Sequence, residues 1–375
     1  MTSSAALLLF VVSATDGGVS DSPEPAAPPA AVRRIVRKPL ARPVDEARVE
    51  RVLASMDTRA RAAQLILAYP QIGKSTPVEV GGVLFVGNSL KNLAKAKERV
   101  DSSLARARIP PFFAVDMEGG PSNRMKGVRG LKDLPSAREM AALDDADVRR
   151  WGRKVGEAMQ ALGLNMNLAP VLDVSASGHM ERNGRSFSGE PDVVVQKATA
   201  FSRGLLEAGV VPIGKHFPGY GNTDGDSDHA LVTSDLPKPL VLNQIDVFHR
   251  AREVLGGVML ANVAYASINP KPAILSPELV ALAHERDWIA VTDDLSIQVL
   301  ADAVGGTTEE VLRQAFLAGN DLLLTTAPPD WDKGVDVIGV LTEFAEADPK
   351  AKALLETSCR RVLRLKDRMG LLDGL

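Results

Sequence analysis

Residues 190–216, EPDVVVQKATAFSRGLLEAGVVPIGKH, hold one complete structural unit. Val194, Ala198, Phe201 and Leu205 repeat at helical spacing, Gly209 follows, and VVPIGKH (210–216) is a short run rich in β-branched residues. Glycine suits the left-handed residue that commonly ends a helix. A near-continuous apolar run suits a strand covered on both faces, as in a parallel sheet flanked by helices.

The unit recurs in both directions. DDADVRRWGRKVGEAMQALG (144–163) stops at Gly163 before LNMNLAP (164–170), and TTEEVLRQAFLAG (307–319) stops at Gly319 before DLLLTT (321–326). LKNLAKAKERVDSSLARA (90–107) is a further helical pattern. The remaining strand candidates are AQLILAY (63–69), GGVLFV (81–86), PFFAVD (111–116), GVMLANV (257–263) and WIAVTD (288–293), which brings the total to eight. Eight strand–helix units predict an α/β fold, a single-domain TIM-like (β/α)8 barrel, over a doubly wound sheet.

What lies outside that rhythm bounds the domain. Residues 5–14, AALLLFVVSA, have the length of a signal-peptide core, and Val12-Ser13-Ala14 resembles a cleavage site, but no Lys or Arg precedes them. A Pro/Ala-rich linker follows, so residues 1–44 read as leader and disordered linker and 45–375 as the barrel. Localisation stays open between envelope or secreted, if the block is a signal peptide, and cytoplasm otherwise. The 375 residues are 45% apolar, with 44 Lys and Arg against 47 Asp and Glu. A net charge of −3 supplies no field for nucleic acid or an anionic membrane, so neither is an expected partner. No apolar run reaches the ~18 residues of a membrane span, and a monomer is expected. The single cysteine, Cys359, excludes an internal disulfide and a cysteine-cage metal site and reads as a packed thiol.

In a parallel barrel, chemistry collects at the C-terminal strand ends. Those ends carry Asp116 with Arg124 downstream, Asp173, Lys215-His216, Asn262 and Asp293-Asp294. The segment KHFPGYGNTDGDSDH (215–229) is too rich in Gly and Pro for a helix or strand interior, and a polar loop of this length on a rigid strand is commonly functional. Its Asp224, Asp226 and Asp228 alternate as in a calcium loop but lack that loop's glycine and distal Glu, so no metal or other cofactor is expected.

At this loop the chain resembles glycoside hydrolase family 3, in its single-barrel β-N-acetylhexosaminidase branch, whose K-H-F-P-G-H-G-x4-D-S-H segment reads here KHFPGYGNTDGDSD, then His229. AVDMEGGPSNR (114–124) is similar to the family's AVDQEGGRVQR. LNMNLAPVLDV (164–174), GRSFSGEPDVV (184–194) and AVTDDLSIQVL (290–300) are similar to its N-x-x-x-A-P-V-x-D, R-S-F and nucleophile segments. The likeness runs from about residue 50 to 370 and implies a TIM-like barrel that hydrolyses β-linked N-acetylglucosamine with retention, on peptidoglycan-derived saccharides. It implies Asp293 as nucleophile and an Asp–His pair on the loop as acid/base. Asp116, Arg124, Arg185, Lys215, His216 and Asn262 then face the sugar.

The sequence departs from that pattern at four places. Asp226 keeps the Asp position, but Asp228 stands where the family has its catalytic His, and His229 comes one residue later. Tyr220 replaces the second His of the segment, Pro121 the Arg after EGG, and Asn262 a strand-six His. Three outcomes stay open: Asp228 takes the acid role, His229 swings in, or the acid is lost and the barrel only binds saccharide. His179, His249 and His284 read as surface residues, Asp294 as a helix cap, and Asp173 as either an anchor or a sugar contact. A phosphate-binding metabolic barrel is disfavoured by TTAPPDW (325–331), which has neither glycine nor cation.

Overall fold

The computed structural model describes residues 39–69, 79–325 and 336–375. The apolar block at 5–14, most of the linker and residues 326–331 of TTAPPDW lie outside them.

Eight parallel strands form one sheet: β1 Ile66–Ala68, β2 Gly82–Leu84, β3 Phe112–Val115, β4 Met166–Asn167, β5 Val211–Phe217, β6 Gly257–Leu260, β7 Ile289–Thr292 and β8 Leu323–Thr325. Each pairs with its sequence neighbour, and β8 returns to β1 through Ile66–Leu323. A Val291–Leu322 bridge joins β7 to β8 and closes the circle. The chain is therefore an α/β barrel of the TIM type.

All eight strand candidates hold a strand, seven of them with shorter limits and VVPIGKH shifted by one residue to Val211–Phe217. Asp57 caps a helix over Thr58–Gln64, so β1 begins only at Ile66. GVMLANV splits: β6 ends at Leu260, and Val263–Tyr265 leaves the barrel for a three-stranded sheet with Val232–Ser234 and Asn269–Pro272. That sheet ties the far end of the 218–231 loop to the segment after β6.

Helices Leu93–Arg106, Asp145–Ala161, Pro191–Glu207 and Thr308–Leu317 occupy the expected helical stretches. Gly163, Gly209 and Gly319 all adopt positive φ just past their helices. Asp145–Ala161 and Pro191–Glu207 cross so closely that a Cβ on Gly152 would lie 2.1 Å from the Phe201 carbonyl oxygen.

Two apolar layers result. One fills the space between sheet and helices, around Val155, Phe201, Leu205 and Phe248. The other fills the barrel, with Leu67, Phe112, Met166, Ile213 and Val291, and is sealed at the N-terminal strand ends by Val362 and Leu365 of helix Pro349–Arg368 and by Met369 just after it. Cys359 of that helix is fully buried, and burial pushes its thiol up to about 12, as a packed thiol requires. Residues 39–44 dock beside the helix: Pro39–Ala41 forms a 3-10 turn, and Arg42 donates to Asp373.

With the base sealed, the C-terminal strand ends are left open. Among the described residues no helix is long and apolar enough to cross a membrane, and no cluster of His, Cys, Asp and Glu suits a metal.

Candidate active site

A cavity of about 790 Å³ opens at the C-terminal strand ends. Asp116, Arg124, Arg185, Lys215, His216, Asp226, Asp228, His229 and Asp293 all line it.

Its floor is an ion cluster that sequence reading missed. Glu118 accepts a 2.6 Å contact from the Lys215 ammonium and two hydrogen bonds, 2.8 and 2.9 Å, from the Arg185 guanidinium. Against its own desolvation, these two cations hold the Glu118 carboxyl well below the ordinary range. Three distant segments meet here. Asn167 of β4 pairs with both backbone groups of Met117, at 2.9 and 3.1 Å, and so orients the residue next to it. Gly119 has φ +102°, and a Cβ there would fall 2.1 Å from the Pro135 oxygen, so the turn requires glycine. Arg185 is held by its own N–H, which donates to Met180. The only sequence signal for Glu118 is its place in the EGG of a strand-end motif.

Asp173 is an anchor. Its Oδ1 accepts the N–H groups of His216 (3.1 Å) and Tyr220 (2.7 Å), and its Oδ2 accepts His216 Nδ1–H at 2.7 Å. With Nδ1 so engaged, His216 turns Nε2 toward the cavity and Arg185, 3.3 Å away. Asp116 is gripped by Arg124 through its Nε and through Nη2 at 2.6 Å, both at the cavity edge.

Asp293 sits at the tip of β7, where its N–H donates to Leu260 O and its Oδ1 accepts from Asp294 N–H at 2.9 Å. Burial pushes its carboxyl up, Asp228 adds to the rise, and His216, Lys215 and the Asp294 N–H oppose it. Asp294 closes a turn onto Ser296 N–H rather than capping a helix; the next helix begins at Gln298, after Ile297.

The 218–231 loop is braced from within. The Tyr220 hydroxyl donates to Gly225 O and accepts Ser227 N–H. Tyr265 OH donates to Gly219 O. Further out, Asp226 Oδ2 accepts His229 Nδ1–H at 3.1 Å, and its Oδ1 accepts Asp228 N–H. Burial raises the Asp226 carboxyl, but these two donors outweigh it and hold the group below its ordinary range. Asp224 instead pairs with Arg182 at 2.6 Å.

Several expectations need correction. Asn262 does not line the cavity: it is 2% exposed, and its Nδ2 donates to the Asp294 carbonyl, so it supports the backbone beneath the site. His179 is no surface residue but a cavity wall, its ring 5.9 Å from that of Tyr220. His284 is half-buried against Asp321 at 2.9 Å, and His249 packs on Trp288.

Residues 74–365 match the glycosyl hydrolase family 3 N terminal domain. A β-hexosaminidase of Alkalilimnicola ehrlichii is 30% identical over 303 residues, 77% of this chain and 82% of that protein. One from Idiomarina loihiensis is 31% identical over 255 residues, 65% and 76% of the two chains. The solved structure of a β-N-acetylhexosaminidase from Beutenbergia cavernae superposes with a TM-score of 0.73 at 27% identity, covering 82% of this chain and 98% of that one. Barrel, cavity and likeness agree: the chain belongs to glycosyl hydrolase family 3 and is a glycoside hydrolase.

Proposed function

We propose that the protein hydrolyses terminal β-linked N-acetylglucosamine with retention, using Asp293 as nucleophile and the Asp226–His229 couple as acid/base. The reading rests on one observation. A carboxylate on a rigid strand tip shares a single cavity with a carboxylate-oriented imidazole on the β5 loop.

The steps follow from these positions. An Asp293 oxygen attacks the anomeric carbon. The bond to the leaving sugar breaks, and the departing oxygen takes a proton from His229 Nε2. Water then loses a proton to Nε2 and attacks the same carbon, which frees Asp293. Nδ1–H stays on Asp226 throughout, so Nε2 is the nitrogen that exchanges the proton. Arg124, Arg185, Lys215 and His216 supply charged or imidazole hydrogen bonds to sugar hydroxyls and the acetamido group. Their rigidity comes from Asp116, Glu118 and Asp173.

A nitrophenyl β-N-acetylglucosaminide tests this. The parent should turn it over, and Asp293→Asn should lose about 10³-fold or more in kcat. Azide added to Asp293→Gly should restore turnover and release an α-glycosyl azide, the mark of a missing nucleophile. Equal, near-background rates in parent and Asp293→Asn would sink the hydrolytic reading and leave a saccharide-binding barrel.

A further inference from the structure

Each Arg and Lys among the described residues lining the active cavity is ion-paired with an internal carboxylate. Arg124 is committed to Asp116, and Arg185 and Lys215 to Glu118. Asp228 is in the opposite position. Its backbone N–H binds Asp226, but among the described residues its carboxylate has no side-chain partner, and it is exposed to the cavity. A general acid must stand on the leaving-group side of the bond it protonates. His229 therefore places the aglycone along this part of the loop, and Asp228 is its immediate neighbour. Arg182, the one Arg or Lys of the short helix Gly178–Arg182, is already bound to Asp224 of the same loop.

We propose that Asp228 selects the aglycone by charge, accepting neutral or amine-bearing amino sugars and rejecting carboxylate-bearing ones. This rests on the proposed orientation of the acid/base loop. An ammonium or a hydroxyl can donate to the free carboxylate, whereas a second carboxylate at that place meets like charge in a half-enclosed cavity. The substrate class is thus a chito-saccharide, acetylated or partly deacetylated, rather than a muramyl saccharide. Lys91 and Lys126 line a separate cleft of about 650 Å³ on the β2–β3 side, which shares only Gly87 and Arg124 with the active cavity.

Three disaccharides with the same N-acetylglucosaminyl group test it, carrying N-acetylglucosamine, glucosamine or N-acetylmuramic acid as aglycone, each normalised to the neutral aryl glycoside. The parent should favour the amine over the acid by about 10-fold or more in kcat/KM at low salt, and the gap should narrow with added salt. Asp228→Asn should collapse that ratio, mainly by improving the acid. An unchanged ratio in Asp228→Asn, or a parent that prefers the muramyl aglycone, overturns the proposal and moves the aglycone toward Lys91 and Lys126. Should the aryl glycoside not be hydrolysed at all, the hydrolytic reading fails separately. The same ratios are then read as dissociation constants by calorimetry, and the same two outcomes decide.

Discussion

The Asp226 carboxylate meets the His229 ring at 3.1 Å across three residues of a loop, which rebuilds a carboxylate–imidazole couple one position beyond its expected place. His229→Ala should lower kcat/KM on chitobiose by about 10²–10⁴-fold, and much less on a nitrophenyl glycoside, whose leaving group needs little protonation. Asp226→Asn should show the same dependence on leaving group, more weakly. If Asp228→Asn shows that pattern and His229→Ala does not, Asp228 is the acid.

The acid limb of kcat/KM should report ionisation of Asp293. Burial and Asp228 place that carboxyl above 3.8, so the limb should lie above the ordinary Asp range, and activity should fall as pH drops through it. Asp228→Asn removes a like charge and should move the limb to lower pH. A profile on the neutral aryl glycoside between about pH 3 and 7 reads both effects. A limb that stays in place in Asp228→Asn would separate the two carboxylates.

Glu118→Gln leaves Lys215 and Arg185 buried without their counter-ion. The expected loss is about 3–5 kcal/mol of stability, measured by urea unfolding, together with activity. In the parent the folded Glu118 carboxyl lies well below its unfolded value, so its contribution is complete above about pH 4.3 and is lost as pH falls further. Glu118→Gln should flatten that part of the stability profile.

Lys366 is fully buried at the sealed end of the barrel, with its Nζ 2.6 Å from Gln64 Oε1 and over the Phe112 ring. Desolvation lowers its ammonium to about 7 from 10.5, so the unfolded chain holds more protons between those values, and stability should rise with pH across them. Lys366→Met should abolish that rise and gain about 1–3 kcal/mol near neutral pH, the orphaned Gln64 oxygen limiting the benefit. Urea midpoints of both proteins over this range check the slope. Equal slopes would show that water reaches the lysine.

Eight strand–helix units, the glycine stops and Asp293 at a strand tip are local patterns. Each follows from side-chain period or from backbone freedom at a single residue, so the sequence by itself determined the barrel and where its chemistry collects. Loop side chains have no such period. Glu118 enters the cavity because Asn167 pins the neighbouring Met117, fifty residues away in sequence, and because Pro135 leaves no room beside Gly119. Asn262 leaves the cavity because the Asp294 carbonyl lies within reach of its amide. His179 becomes a wall because Tyr220, from another strand's loop, stands beside it. Those outcomes depend on which distant backbone groups are left for each polar atom to satisfy, and only the closed tertiary structure brings such groups together.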